Sequence, residues 1–67
     1  MKITLNNRPE TLPGDSMTLE ELLKHKSFTF KLLVTKINGK LVKRDEQATA
    51  VIRDGDNVEV IHLISGG

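Results

Sequence analysis

The spacing of hydrophobic and polar residues changes several times along the chain, and each change predicts an element. Lys2-Ile3-Thr4-Leu5-Asn6 alternates with a period of two, which places Ile3 and Leu5 on one face of a strand. Asn6-Asn7-Arg8-Pro9 predicts a turn and Glu10-Thr11-Leu12 a short returning strand, ended by Pro13-Gly14-Asp15-Ser16. Thr18-Leu19-Glu20-Glu21 then fits a capping box, with Met17 and Leu22 at the two positions of a hydrophobic staple. Leu19, Leu22 and Leu23 share one face of the helix that follows. Glu20 and Glu21 suit the positive end of the helix dipole and, as neighbours, point in different directions. They read as structural rather than as an acid–base pair. Residues 24–31 carry no clear pattern and read as a connector. Leu33-Val34-Thr35-Lys36-Ile37 predicts a strand with Leu33, Thr35 and Ile37 on one face and Val34 and Lys36 on the other. Asn38-Gly39 is a strong hairpin signal, because both residues tolerate the positive φ of a type I′ turn, and Leu41-Val42 begins the return. Residues 43–47 are wholly polar, and 48–52 are ambiguous. Asp54-Gly55-Asp56 predicts a second tight turn, after which a last strand runs from Val58 to about Ile64.

A hairpin, a helix, a second hairpin and a final strand can share one core if the last strand enters the centre of the sheet. It would lie there parallel to the first strand, with the helix crossing one face. This is the α+β arrangement called the β-grasp: a mixed sheet of four to five strands with one helix packed across it. The predicted domain covers residues 1–64, and Ser65-Gly66-Gly67 is expected to be a flexible tail. Val58 and Val60 then point inward beside Ile3 and Leu5. Ile61 and Leu63, with Val34 from the neighbouring strand, form an apolar patch on the open face, a candidate partner-binding surface beside the tail.

Composition narrows the chemistry. A chain of 67 residues buries only ~60% of the surface that it exposes when unfolded, which leaves no room for both a core and a deep enclosed active site. It has no cysteine, so a disulfide framework, a thiol nucleophile and the commonest zinc sites are excluded. His25 and His62 are isolated, and Ser16, Ser27 and Ser65 have no histidine in a recognisable triad pattern. No metal site is expected. The net charge of +1 steers the chain to neither nucleic acid nor membrane, although residues 24–44 hold seven Lys and Arg and no acidic residue. Phe28 and Phe30 alternate with Lys26 and Lys31, a faint echo of a single-strand-binding surface; a solvated basic edge explains the same residues more simply. Met1-Lys2-Ile3-Thr4 lacks the apolar stretch of a signal peptide, and a cytoplasmic location is the expectation.

The sequence finishes on Gly66-Gly67, directly after an apolar strand. Two residues without side chains can pass extended through a narrow slot into another protein's active site, and a terminal glycine presents the least hindered carboxylate possible. Several features together resemble the sulfur carrier proteins of bacterial thiamine biosynthesis, the ThiS group of the ThiS/MoaD ubiquitin-like family. They are the short chain, the Ile37-Asn38-Gly39-Lys40-Leu41-Val42 hairpin with Arg44 beyond it, Asp54-Gly55-Asp56-Asn57-Val58-Glu59-Val60, and the diglycine. Lys43 stands where that family often has proline. The resemblance implies a carrier that is not itself an enzyme and binds no cofactor. A ThiF-like adenylating enzyme would use MgATP to activate Gly67, with Gly66 giving the tail its slenderness. A persulfide donor such as a cysteine desulfurase would convert the acyl-adenylate to a thiocarboxylate, and thiazole synthase would consume its sulfur. Two alternatives stay open at this point: a carrier like the small subunit of molybdopterin synthase, and a ubiquitin-like binding module in which the diglycine is incidental.

Overall fold

The structure, a computed structural model, describes residues 1–28 and 33–63. Its first hairpin turns more tightly than the sequence pattern suggests. β1 (Lys2–Leu5) and β2 (Arg8–Thr11) are joined by Asn6 and Asn7 alone, at φ of 51° and 67°. Two successive left-handed residues make a type I′ turn, and asparagine enters that region more readily than most residues with a side chain. Arg8 and Pro9, expected in the turn, therefore belong to β2. Leu5–Arg8 closes the turn, so the next pair, Thr4–Pro9, is one that exchanges no ladder bonds. The proline nitrogen faces away from β1, and β2 is an edge strand, where nothing is lost by the missing N–H.

After β3 (Ser16–Thr18) the helix α1 (Leu19–His25) starts as the capping pattern predicts. The Glu21 amide donates to Thr18 Oγ1 at 3.1 Å, and Glu21 Oε1 accepts from the Thr18 amide at 3.0 Å. Hydrogen bonds from the Thr18 backbone and then its hydroxyl favour the ionised form and hold the Glu21 carboxyl below its ordinary range. The helix stops through a pattern that the sequence conceals. Phe28 N–H donates to Leu23 C=O, and Ser27 N–H to Lys24 C=O, at 2.8 and 3.1 Å. These two bonds form a Schellman motif, with Ser27 at φ 58° in the left-handed position that glycine usually occupies. Phe28, partly buried, packs against the core from here instead of standing free as a stacking platform; Phe30 and Lys31 lie outside the described residues. Lys26 pairs with Glu10 and ties the end of the helix to β2.

β4 (Leu33–Ile37), β5 (Lys40–Val42) and β7 (Asn57–His62) complete a five-stranded sheet in the order β2-β1-β7-β4-β5. β7 lies at the centre, parallel to β1 and antiparallel to β4. A 3₁₀ turn at Arg44–Glu46 follows β5, and β6 (Val51–Arg53) pairs with β3 in a separate two-stranded sheet. Neither β3 nor β6 is among the elements expected from the sequence.

Ile3, Leu5, Val58 and Val60 point from the sheet's inner face towards Leu19, Leu22 and Leu23, and Leu12 and Ile52 join the same buried cluster. Thr35 shares that inner face and is fully buried; its hydroxyl donates to Val42 C=O at 2.9 Å, which removes the cost of burying it. Both later turns are locked to each other. Asn38 and Gly39 take φ of 51° and 82°. The Asn38 side chain donates to Asp56 Oδ1 at 3.0 Å and accepts from the Asn57 amide at 2.8 Å. Asp56 Oδ2 also accepts from the Arg53 amide at 2.9 Å, and Asp54 Oδ1 from the Lys2 amide at 2.7 Å. The Asp54-Gly55-Asp56 signature is thus a fastening for β1, β4 and β7 at one end of the sheet.

Candidate functional site

β7, the central strand of the sheet, leads to the chain's last described residue, Leu63. It is shorter than expected: the strand ends at His62, Leu63 lies just past it, and Ile64 falls outside the described residues. So do Ser65, Gly66 and Gly67, and the expectations about the tail lie there with them.

Alternation along β7 divides its side chains cleanly. Val58 and Val60 are buried under the helix, while Glu59 and Ile61 face the other way. Ile61 is 42% exposed and Leu63 49% exposed. Val34 stands directly opposite Ile61 in the β4–β7 ladder and so lies on the same face, half-buried. The structure brings Val34 and Ile61 together as the residues expected on the open face, with Leu63 exposed beside the exit of the strand.

The sequence reading missed a further member. Leu41 is 59% exposed and stands opposite Lys36, which itself stands opposite Glu59. The open face therefore carries the row Glu59–Lys36–Leu41 next to the pair Ile61–Val34. The sequence does carry a signal for Leu41: a two-residue turn at Asn38-Gly39 pairs Ile37 with Lys40 and then Lys36 with Leu41, and the alternation of β4 puts Lys36 on the Val34 face. Leu41 also borders a groove of about 510 Å³ between β5 and β6, where Val42, Ala50 and Val51 supply apolar lining and Lys40, Arg53, Glu46 and Asp56 supply charge of both signs.

Among the described residues no three His, Cys, Asp or Glu side chains gather as metal ligands, and no helix is long and apolar enough to cross a membrane. What the described site offers is an apolar surface with a mixed-charge row, on the strand that leads into the glycines.

A sheet covered on one face by a single helix, with its last strand central and parallel to its first, defines a ubiquitin-like β-grasp protein. The family is narrower than the fold: residues 3–67 match the ThiS family, and the chain belongs to it. A crystal structure of the thiamine biosynthesis protein ThiS from Geobacter metallireducens superposes with a TM-score of 0.89, at 29% identity over 100% of both chains. A solution structure of a thiamine biosynthesis protein from the same organism gives 0.76 at 28% identity, covering 100% of this chain and 88% of that one. A thiazole synthase of Magnetococcus marinus is 34% identical over 67 residues. The chain spans only 20% of that relative's length.

Proposed function

We propose that this chain is a sulfur carrier for thiazole formation in thiamine biosynthesis, a protein cosubstrate that partner enzymes modify and consume. The observation that carries this reading is a family match that runs to residue 67 and so includes Gly66 and Gly67. The thiamine biosynthesis proteins that share its fold support the pathway. The thiazole synthase with a segment like this chain supports the partnership with that enzyme.

The chemistry follows from the weakness of a carboxylate as an electrophile. Its negative charge repels nucleophiles and oxide is a poor leaving group, so the Gly67 carboxylate first attacks the α-phosphorus of MgATP in an adenylating partner and expels pyrophosphate. A persulfide sulfur then attacks the acyl carbon and expels AMP. The bond formed is C–S; a thiol reductant then cleaves the persulfide's own S–S bond, is oxidised to a disulfide with the donor's inner sulfur, and leaves a thiocarboxylate, a tethered nucleophilic sulfur for thiazole synthase. None of these steps asks the carrier for a base, a metal or a thiol. Its tasks are to dock through Val34, Ile61 and Leu63, with Leu41 at the margin, and to present a tail slender enough to reach the nucleotide.

Genetic rescue tests the pathway. Expressed with its matching adenylating enzyme in a bacterium lacking its own thiamine sulfur carrier, the chain is expected to restore growth without added thiazole. It is expected not to restore molybdoenzyme activity in a strain lacking the molybdopterin carrier. The opposite pattern would keep the carrier mechanism and overturn the pathway.

A further inference from the structure

Asn6 does more than turn the first hairpin. In a regular parallel ladder, a residue of β1 donates its N–H to one carbonyl of β7 and accepts at its own C=O from the amide two residues further on. The Asn6 amide makes the first of these bonds, to Val58 C=O at 3.0 Å. The second is made by the side chain instead: Val60 N–H donates to Asn6 Oδ1 at 2.8 Å. Asn6 Nδ2 then donates to Val60 C=O at 3.2 Å, where the residue two places further along a longer β1 would have placed its own N–H. With Asn6 at φ 51° the main chain has already left for β2, and the carboxamide, chemically a peptide group, stands in for the strand that is no longer there.

The neighbour on the other side cannot take over this task. Val60 stands opposite Thr35 of β4, but its N–H and C=O both point towards β1, because successive residues of a strand direct their polar groups to alternate sides. Val60 is 7% exposed, so losing the carboxamide would strand two main-chain groups at a nearly buried residue. Val60 is also the last inward-facing valine before Ile61 and the exit towards the glycines.

We propose that Asn6 is a positioning residue for chemistry at Gly67: its side chain extends the parallel ladder by one peptide unit and, from the side opposite the β4 ladder that runs on to Leu33–His62, helps fix the direction in which β7 leaves the sheet. This rests on the carrier reading above. The effect belongs to catalysis more than to docking, because a displaced carboxylate costs rate steeply even when the complex still forms.

Two variants separate the carboxamide from the turn. Asn6→Gly accepts the positive φ and removes both side-chain bonds; Asn6→Asp keeps an acceptor for Val60 N–H and loses the donor to Val60 C=O. Amide hydrogen exchange is measured on each folded protein, together with ATP–pyrophosphate exchange by the adenylating enzyme as a function of carrier concentration. For Asn6→Gly, exchange at the Val60 amide is expected to accelerate about tenfold, as for one lost hydrogen bond, with the Val58 amide unchanged. The carrier's kcat should fall by about tenfold or more with KM within about twofold. Asn6→Asp should lie between this variant and the unaltered chain in both measurements. Unchanged kcat despite faster Val60 exchange would make the clamp purely structural and overturn the inference, as would a raised KM at constant kcat. No pyrophosphate exchange with the unaltered chain would overturn the carrier reading itself, and this inference with it.

Discussion

Deleting Gly67 is expected to abolish adenylation and all sulfur transfer while leaving the thermal midpoint within about 2 °C, less than the ~4–8 °C shift that 1 kcal/mol produces in a domain of this size. The two halves of this expectation have separate causes. Stability is unaffected because the buried hydrophobic residues described for this fold run from Ile3 to Val60, and a glycine has no side chain to add to them. Activity is lost because the shortened chain still ends in a glycine carboxylate, but one withdrawn by a residue, about 3.3–3.6 Å along an extended chain. Near-attack geometry requires reacting atoms about 3–3.5 Å apart, and a 1 Å displacement can cost on the order of a hundredfold. The carboxylate would be present and out of reach. Thermal melting and pyrophosphate exchange, measured on the same preparation, check both halves. A large drop in the midpoint would make the tail structural.

Ile61→Asp should act on docking, and its neighbour shows why. At the open face the substitution removes a cross-strand partner of Val34 and places a poor strand former in β7, together worth about 1 kcal/mol of stability. If Ile61 anchors the interface, binding to the adenylating enzyme weakens by at least about 2 kcal/mol, roughly thirtyfold in Kd. Val60→Asp, one position away, buries a charge under the helix at a cost of several kcal/mol. That cost is comparable with the whole stability of such a domain, about 3–10 kcal/mol at the usual per-residue value. Calorimetry of binding and denaturant unfolding on the pair should therefore give a folded chain that binds at least about thirtyfold more weakly and an unfolded chain, respectively. Unaltered binding by Ile61→Asp would remove the open face from the docking surface.

Legibility in the sequence followed the range of the interactions. The helix start at Thr18, the Asn38-Gly39 turn and the Asp54-Gly55-Asp56 turn are written in adjacent residues, and each was readable with its mechanism. The central place of β7 was readable too, since Val58 and Val60 alternate strongly and needed a partner strand on each side. The end of α1 was not, because Ser27 occupies a left-handed position where glycine would have announced a stop. β3 and β6 were hidden for another reason: each has three residues, too few to show a period, and Met17 finds its partner Ile52 far along the chain. The Asn6 clamp is more remote still, joining residues 54 apart, and a side chain that imitates a backbone leaves no periodic trace. At the open face, Ile61 and Leu63 emerged from β7's alternation. Leu41 required the hairpin register to be carried one pair further, from Ile37–Lys40 to Lys36–Leu41.

Sulfur carried at Gly67 changes the intact mass of the chain, and that mass can be measured. The protein is to be isolated from cells that also contain its adenylating enzyme and are starved of thiamine, then fragmented to locate any change. A fraction heavier by the exchange of one oxygen for one sulfur is expected, confined to Gly67 and absent when MgATP or the sulfur donor is withheld in a reconstituted mixture. An unchanged mass under all these conditions, or sulfur found at another residue, would contradict the carrier reading.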